Sequence, residues 1–274
     1  IGEIDGPDSS FKVLGTTSIS GAYLHEGTIE KGSMRVGDDV SVEVNPEIRE
    51  AIRINHSATH LLHAALRKVL GEHVKQRGSR VSAETLRFDF SHFDPLSEDE
   101  LIQIEDLVNE EIRKNSKVLT EVMNIDQAMR LGAIALFDEK YSEEVRVLSM
   151  GNDFSIELCG GTHAATTGEI RIFQIMSEQG TASGVRRIEA TTSSNAIAHL
   201  RKQRRLVSEG KALLNTSENE FIEKISLLIE QKDELEKTLG ALQKKLALSN
   251  HEIASEKIIE LGEMKVILSR RDDL

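Results

Sequence analysis

Tryptophan is absent from this 274-residue chain, aromatic residues make up only 4% of it, and it holds a single cysteine. So few aromatics leave little on which single-stranded bases could stack. One cysteine, Cys159, excludes an internal disulfide and fits a reducing, cytoplasmic compartment. No run of about 18 apolar residues occurs, so neither a transmembrane helix nor a membrane partner is expected. The opening Ile1-Gly2-Glu3-Ile4-Asp5-Gly6 lacks the basic start and apolar stretch of a signal peptide, and it has no initiator methionine. The chain reads as a piece of a longer protein.

What is present is ordinary for a globular protein: 39% hydrophobic and 29% charged residues, long enough for one or two domains. The net charge of -12 argues against a broadly basic surface for nucleic acid. The charge is unevenly spread. Residues 1–50 carry four basic and ten acidic side chains, whereas residues 185–211 carry seven basic and two acidic ones. A polyanion would meet the second region more readily, although a solvated helix face explains such a run equally simply.

Patterning predicts an α+β protein in four parts. Residues 1–50 read as short strands punctuated by Gly27, Gly32 and Gly37, a partial small β-barrel. Residues 51–192 mix helices with hairpin-linked strands. A helix from Glu47 to Leu70 stops at Gly71, a strand runs from Val81 to Phe90, and Ser97-Glu98-Asp99-Glu100 opens a helix to about Asn115. A strand near Val118 to Val122, a helix from Ile125 to Leu131 and a hairpin turning at Gly151-Asn152-Asp153 follow. Ile170 to Ile175 and Gly184 to Ala190 read as further strands. Residues 193–256 are helical, with a break at Asn215-Thr216. Beyond it Phe221, Ile225, Leu228, Leu235, Leu239, Leu242 and Leu246 form a heptad seam. An antiparallel helical hairpin is the favoured arrangement there, with dimerisation through a coiled coil as the other. Residues 257–274 read as the start of a further, truncated domain.

The chemistry lies in two short motifs. His56-Ser57-Ala58-Thr59-His60 puts two imidazoles on one helix face, about 5–6 Å apart at Cβ. Cys159-Gly160-Gly161-Thr162-His163 follows a predicted strand, and its glycines permit a tight turn that aims thiolate and imidazole at one point. Three nitrogens and one sulfur make a tetrahedral set suited to one Zn²⁺. Four protein ligands normally mean a closed, structural site, so the donor set leaves open whether the ion is catalytic. No glutamate stands between His56 and His60 as in HExxH, which disfavours a protease of that kind.

Four stretches, in order, carry a resemblance. They are Asn55-His56-Ser57-Ala58-Thr59-His60-Leu61-Leu62-His63, Val74-Lys75-Gln76-Arg77-Gly78-Ser79, Cys159 to His163, and Gly184-Val185-Arg186-Arg187-Ile188-Glu189. Together they resemble the editing domains of the alanyl-tRNA synthetase family, and the likeness extends over nearly the whole chain. The resemblance implies hydrolysis of mischarged Ser-tRNA(Ala) and Gly-tRNA(Ala), with the acceptor end of tRNA(Ala) as partner. A synthetic pocket discriminates poorly between near-isosteres, and a second, hydrolytic site supplies the remainder. It further implies His56, His60, Cys159 and His163 as zinc ligands, and Thr59, Gln76 and Ser79 as residues of the editing pocket. Arg186 and Arg187 would contact acceptor-end phosphates, with salt bridges to nearby carboxylates as their alternative. His25, His63, His73, His92, His199 and His251 are left as surface or packing residues.

No aminoacylation core is recognisable in the chain, so ATP and Mg²⁺ belong only to a missing part of the parent enzyme. Homodimerisation is expected through the coiled coil or a missing C-terminal domain. Three other readings remain: a free-standing editing protein, the editing domain of a threonyl-tRNA synthetase, and a non-catalytic zinc and coiled-coil interaction module.

Overall fold

A computed structural model describes residues 1–135, 142–253, 257–262 and 264–268. It is α+β, and the chain divides into two compact units, Ile1–Arg201 and Lys202–Leu274. The first unit opens with strands β1 (Gly2–Gly6), β2 (Ser9–Ile19), β3 (Ala22–Lys31) and β4 (Ser41–Val44). They form one antiparallel sheet in the order β3-β2-β1-β4. The expected barrel is not closed. Closure needs the two edge strands to pair with a consistent stagger, and here β3 and the four-residue β4 stand at opposite edges. Of the residues in this sheet, only Ser9 and Val13 are buried.

Helix α1 (Pro46–Leu70) organises the rest of the unit. Asn45 caps its start by accepting from the Ile48 amide at 2.9 Å, Pro46 supplies a preset first turn, and Gly71 ends it at φ 115°. Its inner face buries Ala58, Leu61, Leu62, Ala65 and Leu66. Against it lies a four-stranded sheet, ordered β10-β11-β6-β5, built from β5 (Gln76–Val81), β6 (Leu86–Ser91), β10 (Phe173–Ala182) and β11 (Val185–Thr192). Leu86, Phe88 and Phe90 alternate inward along β6 and are fully buried, as their spacing predicts. The single strand expected over Val81 to Phe90 is two strands. Ser82 Oγ accepts from the amides of Glu84 and Thr85 and turns the chain between them.

Helix α2 (Glu98–Lys114) carries the expected capping box between Ser97 and Glu100 and ends on Asn115 in the left-handed region. Its buried Ile104, Val108 and Ile112 complete the main core. A second, smaller sheet, ordered β7-β8-β9, follows from β7 (Leu119–Asn124), β8 (Glu144–Met150) and β9 (Ser155–Leu158), with α3 (Ile125–Arg130) between β7 and β8. The β8–β9 hairpin turns where expected, with Gly151, Asn152 and Asp153 all at positive φ. The strand expected over Ile170 to Ile175 starts late. Thr167–Ile170 is a 3-10 turn held by Thr167 Oγ1 donating to the Glu111 carbonyl, and Ile170 points into the core. Arg171 then turns at φ 67°, and β10 begins at Phe173.

Helix α4 (Ser193–Leu214) leads into the second unit and stops at Asn215, φ 48°. In that unit α5 (Phe221–Ile253) begins where the Phe221 ring meets Gly210, and Lys211 pairs with Glu218 at 2.8 Å across the turn. The expected hairpin seam is not packed along its length: Leu228, Leu235, Leu239, Leu242 and Leu246 are exposed. Strands β12 (Lys257–Leu261) and β13 (Met264–Leu268) form a hairpin, so the expected strand at Met264 has an antiparallel neighbour. Residues 263 and 269–274 of the expected final domain lie outside the described residues.

Candidate metal centre

Four side chains from two distant segments meet beneath α1. The ligand atoms of His56, His60, Cys159 and His163 all lie within 4.8 Å of one another. His60 Nε2 is 3.2 Å from His163 Nε2, and Cys159 Sγ is 3.6 Å from His56 Nε2. A tetrahedron with metal–nitrogen bonds of about 2.0–2.1 Å and a metal–sulfur bond of about 2.3 Å has edges of about 3.3 and 3.6 Å. Two of the observed separations are therefore those of a shared coordination shell.

The surroundings fix which nitrogen faces the cluster. His56 Nδ1 donates to the Thr162 carbonyl at 3.3 Å, leaving its Nε2 lone pair toward Cys159. His60 Nδ1 donates to Glu157 Oε2 at 2.8 Å, leaving its Nε2 toward His163. Carbonyl and carboxylate oxygens only accept, so both tautomers follow from the partners. Imidazole nitrogens and a thiol sulfur converging on one point make a donor set for a cation. The residues present fit zinc.

Electrostatics agrees. Burial pushes the Cys159 thiol up, but the neighbouring imidazoles of His163, His56 and His60 outweigh it and pull the thiol down to about 3. Burial disfavours a charged His60, yet Glu157 and Cys159 favour positive charge there and raise it to about 10, so a metal ion at Nε2 would take the place of a proton. Burial, with repulsion from His60 and His56, lowers His163. A thiolate held this low among three imidazole nitrogens is a donor set that could hold a cation.

The loop after β9 is shaped for this. A Cβ on Gly161 would lie 2.2 Å from His56 Cε1, so only glycine lets the loop pass so close to that ring. Arg146 Nη1 donates to the carbonyls of Cys159 and Gly161, at 2.9 and 2.6 Å. Ser57 Oγ accepts from the Ala164 amide at 2.8 Å, and Arg53 reaches the His163 carbonyl at 3.3 Å. Both of these contacts come from α1, so the helix that carries two of the candidate ligands also grips the loop that carries the other two.

The comparisons with known proteins fit this arrangement. Residues 145–189, which contain Cys159 and His163, match the family described as "Threonyl and Alanyl tRNA synthetase second additional domain". Over 271 residues the chain is 48% identical to the alanine–tRNA ligase of Pseudomonas syringae pv. syringae (strain B728a), covering 99% of this chain and 31% of that protein. Against the alanine–tRNA ligase of Pseudomonas savastanoi pv. phaseolicola (strain 1448A / Race 6) it is 47% identical, with the same coverage. The chain corresponds to a segment of an alanine–tRNA ligase. It spans about a third of the length of these relatives.

The other residues singled out from sequence are placed differently. Gln76 Nε2 donates to Ser79 Oγ at 3.2 Å on edge strand β5. Thr59 is buried and donates to the Asn55 carbonyl at 2.9 Å, one turn back in α1. Arg186 is held by both oxygens of Glu178, and Arg187 by both oxygens of Asp89. Those pairs are the alternative that the sequence left open.

Two further residues belong to the cluster: Glu157, which no sequence motif marks, and His63, which the sequence places among the packing residues. Period-2 alternation carried a signal for the first: Ser155, Glu157 and Cys159 fall on one face, so a carboxylate two residues before the thiol points the same way. His63, three residues after His60, is on the same side of α1 and donates to Glu157 Oε1 at 3.0 Å.

Proposed function

We propose that this chain is the editing module of its parent enzyme, cleaving the ester of Ser-tRNA(Ala) and Gly-tRNA(Ala). The observation that carries the reading is the convergence of His56, His60, Cys159 and His163 into one cation site, in a chain matching alanine–tRNA ligases along 99% of its length. When bound, zinc would supply a Lewis-acidic anchor for the ester carbonyl or the aminoacyl amino group. The polar pair Gln76 and Ser79 would orient water and recognise the serine hydroxyl, which alanine lacks. Thr59 supports this from behind, its hydroxyl committed to the helix that carries two of the ligands.

Phosphate contact by Arg186 or Arg187 would require displacing Glu178 or Asp89, so these arginines hold the sheet in register first. The parent enzyme would attach alanine to tRNA(Ala) with ATP and Mg²⁺ in the part outside this segment, in the cytoplasm. The exposed heptad face of α5 is the surface through which two copies would associate.

The test is deacylation by this chain of Ser-tRNA(Ala), Gly-tRNA(Ala) and Ala-tRNA(Ala) in parallel. Loss of serine and glycine with alanine retained supports editing. Retention of all three would leave a zinc-bearing interaction module instead.

A further inference from the structure

Glu157 is the most enclosed carboxylate around the centre, only 3% exposed, and it touches two histidines of α1. Its Oε2 accepts from His60 Nδ1 at 2.8 Å, and its Oε1 accepts from His63 Nδ1 at 3.0 Å and from Ser155 Oγ at 3.2 Å. His63 is 1% exposed, packs on the Phe88 ring and offers its Nε2 to no partner among the described residues. Placing a glutamate where a β-strand faces a helix is costly unless its charge is used.

We infer that Glu157 is a positioning residue of the metal centre. It locks His60 in the tautomer that presents Nε2 to the ion, and it ties that imidazole through His63 to the hydrophobic core. The chemistry of a bridged carboxylate explains both halves. Ionised, it can only accept, so each histidine must carry its proton on Nδ1. The ring of His60 is then fixed in rotation by a bond of its own, and His63 fixes the carboxylate in turn. Charge supports the same assignment. A divalent ion with one thiolate leaves a single positive charge in a largely buried place, and the Glu157 carboxylate, one imidazole away, cancels it. Residues supplying neither proton nor ligand to the reaction thus determine how tightly the site holds its ion.

This inference rests on the metal-site reading, and the experiment separates the two. Zinc affinity is measured by competition with a chromophoric chelator for the wild-type chain, Glu157→Gln and Glu111→Gln. The last is a buried carboxylate on α2, outside the centre. Glutamine offers one acceptor and one donor group, so it can satisfy only one of the two imidazoles in its present tautomer. The expected result is a loss of about 10- to 100-fold in zinc affinity for Glu157→Gln alone. Nitrogen-15 spectra of the zinc-loaded wild type supply a second measurement that no folding defect can obscure: His60 and His63 should both be protonated at Nδ1. Wild-type affinity in a folded Glu157→Gln, or a His60 lacking its Nδ1 proton, overturns the inference while leaving the site intact. A wild-type chain that takes up no zinc overturns the site itself.

Discussion

His60 Nε2 stands 3.2 Å from His163 Nε2, although 103 residues separate them along the chain. Nothing local brings them together. One is carried on the buried face of α1 and the other in the loop that follows β9, and the approach exists because Ser57 and Arg53, from that same helix, hold the loop by its backbone. The candidate centre is thus one helix and one loop clamped to each other, with the candidate ligands and the clamps interleaved.

Adding a methyl group at Gly161 tests the closeness of that approach. Its carbon would stand 2.2 Å from His56 Cε1 and 2.7 Å from Nδ1, both far inside contact distance. Gly161→Ala should displace the His56 ring and reduce bound zinc, with helix content unchanged. Metal analysis beside far-ultraviolet circular dichroism checks both.

Removing the clamp should act on stability as well as on metal. Ser57 is fully buried and accepts from the Ala164 amide while donating to the Arg53 carbonyl. Ser57→Ala leaves that amide without a partner in a dry place, a loss of about 1–3 kcal/mol. Urea unfolding of the zinc-free chain reads the cost, and an unchanged midpoint would show that water replaces the hydroxyl.

Metal removal should destabilise the first unit, because an ion that binds only the folded site adds its binding free energy to stability. The melting temperature should fall on treatment with a chelator and return with added zinc. Cys159→Ala should start low and fail to respond. Acid should release the ion too, since protons compete for the imidazole nitrogens and the thiolate.

The Arg187–Asp89 pair gives a pH signature that separates a sheet contact from a tRNA contact. Arg187 donates two hydrogen bonds to Asp89 and holds its carboxyl below the ordinary value, burial opposing. A depressed carboxyl adds stability that is complete above its unfolded value, about 4, and is lost as pH falls through the folded one. Asp89→Asn should flatten that acid limb of the stability curve. Arg187→Ala should lower the melting temperature at neutral pH without changing tRNA affinity. A fall in affinity with unchanged melting would place the guanidinium on the phosphates instead.

Short-range physics made much of this legible. Gly71 ends α1, Ser97 and Glu100 box the start of α2, and Gly151-Asn152-Asp153 turns the β8–β9 hairpin, because caps and turns depend on a few adjacent residues. The spacing of His56 and His60 is likewise a property of the helix alone.

Long-range pairing was not legible. Whether the first four strands close depends on which edges meet, and whether the α5 leucines pack depends on what faces them; neither is written in a period of two or seven. Glu157 shows the division within one residue. Alternation along its strand determined that it shares a face with Cys159, but only the packing of β9 against α1 decided that the carboxylate would meet His60 and His63. Periodicity sets the direction of a side chain, whereas its partner is set by chain segments that come together only on folding.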